Sequence, residues 1–162
     1  MRKFEKISFK QFKKDIEDDK EKYNNFSLPK RSTKYSAGYD FYAIKDYIIK
    51  PKERLIIPTG VKVTMEHDEM LMLLVRSSMG FKYNVRLCNQ VGIIESDYYN
   101  NIDNEGHMFI ALQNEGDKDF VIKANDKYIQ GIFVKFLTVF DEELVIKQRI
   151  SGIGSTNEEE KE

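Results

Sequence analysis

The stretch GIIESDYYNN, residues 92–101, decides how this chain is read. An apolar run, Gly92-Ile93-Ile94, carries straight into Glu95, Asp97 and Tyr98, then into a polar turn. The apolar part can pair and pack as a strand. If the extended backbone continues, Glu95 and Asp97 lie two apart and point to the same side. Two carboxylates beside a flat ring can position a water or a metal and stack a planar ligand. The plainer reading is a strand end whose acids are solvated.

Working outward, the chain reads as short strands from Tyr35 to Lys147. Candidates are 38–43, 47–50, 55–57, 61–65, 70–76, 85–95, 107–113, Phe120–Ile122, 128–137 and 144–147. Turn chemistry separates them at Pro51-Lys52, Pro58-Thr59-Gly60, Glu66-His67-Asp68, Asn114-Glu115-Gly116 and Asn125-Asp126. Strands this short at this spacing predict an all-β jelly roll, a sandwich or barrel, and not βαβ units. The run 70–75 is apolar throughout, which predicts a strand covered on both faces. Upstream, Ser8 can cap a helix over 8–23 with Phe9, Phe12, Ile16 and Lys20 on one face. That short amphipathic helix is expected to pack on the domain edge, with partner binding as the alternative. No internal repeat or low-complexity linker interrupts the chain. The reading is one domain over 1–162, with a helical extension at 1–27 and a flexible arm at 148–162.

The bulk composition suits one ordinary domain. Of 162 residues, 41% are hydrophobic and 12% aromatic, enough for a core. Twenty-six Lys and Arg nearly balance 27 Asp and Glu. That argues against a nucleic-acid binder held by bulk charge, but leaves room for a small anion on a few local cations. The single Cys88 rules out an intrachain disulfide and suits a reducing compartment. It is expected to be a small core residue in an apolar strand. No apolar run approaches membrane-spanning length, and the charged N-terminus has no signal core, so the expected location is the cytoplasm.

Several chemistries are excluded or weak. Only His67 and His107 exist, so a multi-histidine metal site is excluded. A Ser-His-Asp triad has little support, and each His is expected in a surface or turn position. What remains is a set of polar and glycine-containing segments between strands. AGYD, residues 37–40, places Asp40 at a strand start. RSSMG, residues 76–80, offers an Arg, two hydroxyls and turn amides that can hold a phosphate. NDKYIQGIF, residues 125–133, brings Lys127 and Gln130 to another strand start. RISGIGSTN, residues 149–157, joins Arg149 to small residues that allow close backbone approach. Each by itself is also an ordinary turn.

In this order the segments resemble the five motifs of the trimeric dUTPase family, from about Leu28 to Thr156. LPKRSTKYSAGYDFYA resembles the entry and first motif. RSSMG is similar to the second, CNQVGIIESDYYNN to the third, NDKYIQGIF to the fourth and RISGIGSTN to the fifth. The turn at 100–106, NNIDNEG, resembles a variant with extra residues before the motif glycine, here Gly106.

The resemblance implies a jelly-roll homotrimer with active sites between subunits. It implies hydrolysis of dUTP to dUMP and pyrophosphate with Mg2+ on the triphosphate. That reaction limits uracil in DNA and supplies dUMP for dTMP synthesis. Glu95 would orient and deprotonate the attacking water, and would reach the metal through water. Tyr98 would lie against the deoxyribose. Asn89 would bond the uracil edge, with backbone help from the hairpin that includes Gly92. Arg76, Ser77 and Ser78 would hold phosphate oxygens, and Gln130 would reach the same group. Arg149, Gly154, Ser155 and Thr156 would close over the phosphates. Asp40, by pairing with an Arg, and Asp97 would support the site. On the residues alone, Arg76 also suits an intersubunit ion pair, Tyr98 a β core and Gln130 an interface hydrogen bond.

The chain departs from the family pattern in named places. Glu95 stands where Asp is usual, and Ile153 where the fifth motif has an aromatic. Ser151 and Asn157 replace glycines, and Asn125 and Lys127 replace the Gly and Arg of the fourth motif. Two alternatives remain. One is a catalytically weak nucleotide-binding regulator that acts through a protein partner. The other is a dCTP deaminase, which needs a carboxylate that MFIALQN, residues 108–114, does not contain.

Overall fold

The computed structural model describes residues 1–142. The expected strand at 144–147, the arm at 148–162, and Arg149, Gly154, Ser155 and Thr156 lie outside the described residues.

The architecture is mostly β. The largest sheet has five strands in the order β2 (Lys30–Arg31), β3 (Tyr39–Tyr42), β12 (Lys127–Lys135), β7 (Glu69–Val75), β9 (Gly92–Glu95). A second sheet orders β5 (Arg54–Pro58), β10 (Phe109–Asn114) and β8 (Val85–Leu87). Two ribbons complete the set, β4 (Tyr47–Ile49) with β11 (Phe120–Ile122), and β1 (Lys3–Lys6) with β6 (Val61–Thr64). Every pairing is antiparallel. The described sheets are open, so sandwich describes the jelly-roll arrangement better than closed barrel.

Alternation builds the core. In β7, Glu69, Leu71 and Leu73 are buried and Met70, Met72 and Leu74 half-buried. Phe41, Leu71, Leu73 and Ile129 come from the large sheet, and Ile57, Ile110, Leu112, Val85 and Leu87 from the three-stranded one. They form one cluster with Ile49 and Ile122. Burying each such side chain is worth roughly 1.5–3 kcal/mol before entropy is subtracted.

The N-terminal segment differs from the single expected helix. α1 (Phe9–Asp15) and α2 (Lys20–Asn25) are separate. Ser8 caps the first, accepting from Gln11 N at 3.1 Å. Asp19 caps the second, accepting from Lys22 N at 2.8 Å. A short acid that can bond backbone amides favours starting a helix over continuing one, and this breaks the chain between Ile16 and Asp19. Both helices share an aromatic cluster, with Phe12 at 5.3 Å from Tyr23 and 5.8 Å from Phe26. Strand β1, absent from the sequence reading, docks Phe4 on Tyr39, Phe41 and Phe133.

Candidate functional site

The stretch 85–98 is not a paired hairpin: β8 pairs with β10 and β9 with β7, so the chain crosses from one sheet to the other. β8 leads into a turn at 88–91, then β9, then a 3-10 turn at Ser96–Tyr98. Gln90 turns the chain with φ of 64°. Asn89 is exposed in this turn. Cys88 is half-buried in the same turn and not in a strand. Arg86 braces the turn by donating to the carbonyls of Leu87 at 3.1 Å and Cys88 at 3.3 Å, and to Glu115 Oε1 at 3.0 Å. Gly92 sits where a Cβ would meet Leu73 Cβ at 3.1 Å, so β9 lies close on β7.

Glu95 is exposed at the end of β9, opposite Met70. Asp97 is not on an extended strand with it. The backbone coils into the 3-10 turn after Glu95, so the alternation that would align the two carboxylates stops there. Tyr98 closes that turn and is 9% exposed. Its hydroxyl donates to the His107 carbonyl at 2.9 Å and accepts from Asn104 Nδ2 at 2.8 Å.

His107 is fully buried, contrary to the expected surface or turn position. Its Nδ1 lies 2.6 Å from Asp15 Oδ2 of α1, and its Nε2 accepts from Gly60 N at 2.8 Å. Two satisfied ring nitrogens make the burial tolerable. Burial lowers the His107 pKa, and the hydrogen bond and charge of Asp15 pull the other way.

A second cluster gathers on the five-stranded sheet. Asp40 is 6% exposed and lies opposite Gln130 in the β3–β12 register. Arg76 Nε is 3.2 Å from one Asp40 oxygen and Lys127 Nζ 3.3 Å from the other. Ser32 Oγ also bonds Asp40, and Lys127 Nζ donates to Ser32 Oγ at 2.6 Å. One buried carboxylate thus meets two cations, and Asp119 and Asp126 also line the cleft beside them. Gln130 Nε2 donates to the Val75 carbonyl at 3.3 Å. A Cβ on Gly38 would run into the Gln130 amide, so the glycine of AGYD makes room for it.

RSSMG is not a glycine turn. Arg76 is the N-cap of α3 (Ser77–Tyr83), and Ser77 and Ser78 are exposed in its first turn. Arg76, Ser78, Tyr83, Asn125 and Lys127 line an open cleft of about 670 Å3.

The two clusters stand apart within the chain. Glu95 pairs with Met70 at one end of β7, and Arg76 follows its other end. Arg76 lies six positions after Met70, roughly 20 Å along an extended chain. Among the described residues, no group of three or more His, Cys, Asp or Glu could hold a metal ion. No described helix is long and apolar enough to cross a membrane.

Sequence reasoning missed Ser32, Asn104 and His107. A signal existed for the turn around Asn104: the run NNIDNEG is too polar for a strand, and Asn100, Glu105 and Gly106 all adopt positive φ.

Comparison with known proteins finds a matching family model, dUTPase, over residues 24–157. A deoxyuridine 5'-triphosphate nucleotidohydrolase of Lactococcus lactis subsp. lactis is 44% identical over 138 residues, covering 83% of this chain and 92% of the relative. One from Blochmanniella floridana is 38% identical, covering 72% and 75%. The crystal structure of dUTPase from Streptococcus mutans superposes with a TM-score of 0.68 at 36% identity, covering 84% and 97%. The dUTPase from phage phi11 of S. aureus shares the fold, with a TM-score of 0.67 at 18% identity over 91% of this chain and 97% of that one.

Proposed function

This chain belongs to the dUTPase family, and we propose on that footing that it hydrolyses dUTP to dUMP and pyrophosphate. The observation that carries the reading is one short segment between two sheets, with Asn89 in the turn from β8 to β9, Glu95 at the end of β9 and Tyr98 just beyond. Those three are the groups needed for the base, the attacking water and the sugar.

The chemistry follows from the positions. Asn89 bonds the uracil edge, where a matched donor and acceptor discriminate strongly against another base. The Tyr98 ring lies against the deoxyribose and excludes a 2′-hydroxyl by shape. Glu95 orients a water and takes its proton as the water oxygen bonds to the α-phosphorus. The bond from that phosphorus to the bridging oxygen breaks, and pyrophosphate leaves. Arg76, Ser77 and Ser78 hold phosphate oxygens, and Gln130 supports the same region. Asp40 fixes the Arg76 guanidinium, which would otherwise swing. Arg149, Gly154, Ser155 and Thr156 complete the phosphate grip.

The residues suit Mg2+ held chiefly by the substrate. With no carboxylate cluster among the described residues, the triphosphate and water would supply most ligands, and Glu95 would act on the ion only through water. The ion, when bound, neutralises charge developing on the leaving pyrophosphate.

The assembly we propose is a homotrimer. Glu95 and Arg76 sit roughly 20 Å apart along β7, too far to serve one α-phosphate from one chain. The Asn89–Tyr98 segment and the phosphate cluster from different copies would meet instead. The place of work is the cytoplasm. A deaminase is disfavoured because β10, Phe109–Asn114, carries no carboxylate.

The test is incubation of the purified protein with magnesium and each of dUTP, dCTP, dTTP and UTP, measuring pyrophosphate and ammonia. Pyrophosphate from dUTP alone is expected. Binding of dUTP without turnover would sink the enzyme reading and favour a regulator. Ammonia from dCTP would favour the deaminase.

A further inference from the structure

We propose that Asn104 is a positioning residue for Tyr98, and that through it the turn at 100–106 sets how strictly the site rejects a ribose. The proposal rests on the dUTPase reading above, in which Tyr98 faces the sugar.

Tyr98 uses both capacities of its hydroxyl. The proton goes to the His107 carbonyl at 2.9 Å, and a lone pair accepts from Asn104 Nδ2 at 2.8 Å. A ring held by donor and acceptor at its far end cannot tip without losing one bond. The orientation of the Asn104 amide is itself determined. Its Oδ1 accepts from Asn101 Nδ2 at 2.9 Å and from Gly106 N at 3.0 Å. With the oxygen engaged by two donors, the nitrogen is the end directed at Tyr98.

The turn is braced on every side. Asn101 is buried, and its Nδ2 donates to the Tyr98 carbonyl at 2.9 Å. Its Oδ1 accepts from the amides of Asp103 and Asn104, each at 3.1 Å. Glu105 accepts from Ser8 N at 2.8 Å and Ser8 Oγ at 2.5 Å, at the start of α1. His107, whose carbonyl holds Tyr98, is clamped by Asp15 from the same helix. Residues 1–23, which supply α1, precede the stretch matched to the family at 24–157.

Rejection by shape needs a wall that does not yield. A ribose differs from a deoxyribose by one oxygen, so a ring free to move by a fraction of an ångström stops discriminating. Asn104 removes that freedom without touching substrate.

The experiment is Asn104→Asp, with kcat and KM measured for dUTP and UTP. Aspartate keeps the acceptor used by Asn101 and Gly106, and replaces the donor to Tyr98 with an oxygen that cannot donate. The ratio of kcat/KM for dUTP over UTP is expected to fall about tenfold, with kcat for dUTP within about twofold. An unchanged ratio, whatever happens to KM or thermal stability, overturns the proposal. Tyr98→Phe deletes the hydroxyl that Asn104 holds, and gives a second test should the first variant not fold. It should lose discrimination to a similar extent, and adding Asn104→Asp to it should cost little more. Full discrimination in Tyr98→Phe, or losses that simply add, overturns the proposal. A wild-type chain without dUTP turnover would instead defeat the functional reading, and the proposal with it.

Discussion

His107 Nδ1 and Asp15 Oδ2 lie 2.6 Å apart and join the first helix to a residue 92 positions later. Gly60 N donates to the other ring nitrogen, which assigns the ring proton to Nδ1 and makes it the donor to Asp15. In Asp15→Ala that buried N–H loses its partner. The expected cost is about 1–3 kcal/mol, because an unsatisfied buried donor forfeits its hydration without compensation. Urea unfolding checks this. A midpoint equal to that of the wild type would show that α1 does not depend on the pair.

The same ring makes stability sensitive to mild acid. Burial holds the His107 pKa below its ordinary value of 6.5. The unfolded chain therefore takes up a proton before the folded one does. The stabilisation is complete above about pH 6.5 and is lost as pH falls from there toward the folded pKa. Glu5 and Glu115, whose pKa values are lowered from 4.5, act in a more acid window. Unfolding midpoints should thus decline between about pH 7 and pH 5, and His107→Gln should flatten that decline. A variant with the wild-type slope would assign it to other groups.

Glu95 ends β9 and is exposed, so replacing it should not disturb the core. Glu95→Gln keeps the size and removes the base. Turnover of dUTP is expected to fall at least ~100-fold, with affinity for a non-hydrolysable dUTP analogue within about threefold. Wild-type turnover in this variant would take Glu95 out of the mechanism.

Two glycines should respond in opposite ways to alanine. Gly106 has φ of 81°, and a Cβ there would lie 2.7 Å from the Tyr98 carbonyl oxygen and 3.0 Å from Tyr99 Cα. Both atoms are backbone, so nothing can swing aside, and Gly106→Ala should cost about 1–3 kcal/mol. Gly80 lies in α3 with no atom within 4 Å of an added Cβ. Gly80→Ala should be neutral or stabilising by up to about 1 kcal/mol. Thermal melts of the two variants decide. Equal shifts would contradict the conformational argument.

Much of the fold was legible because strands write their own signature. Alternation and turn residues place Phe120–Ile122 at the observed bounds and β7 within a residue at each end. The family, too, could be read from five motifs in order. What escaped depends on partners distant in sequence. Strand β1 reads KFEK, with one apolar side chain, and exists because β6 pairs with it and Phe4 finds three rings. His107 looked like a surface residue because nothing nearby announces Asp15. Competition between local signals caused other misses. Asp19 caps a new helix where the apolar stripe suggested one continuous helix. Ser77 and Ser78 begin α3 where glycine and serine suggested a turn. Asp97 left the face of Glu95 because the 3-10 turn breaks the strand period one residue earlier.

The attachments of the first residues also constrain when the molecule can finish folding. β1 must wait for β6, Ser8 for Glu105 and Asp15 for His107. β3, near the start of the chain, pairs with β12 near residue 130. The partners of β1 are made early, yet Ser8 and Asp15 cannot meet Glu105 and His107 until about two-thirds of the 162 residues have been synthesised. Contacts this far apart in sequence carry a large loop-closure entropy and belong to slow-folding topologies, on the order of milliseconds to seconds. Helix α1 is therefore among the last elements to settle, and until then Phe9, Phe12, Tyr23 and Phe26 depend on one another for shelter from water.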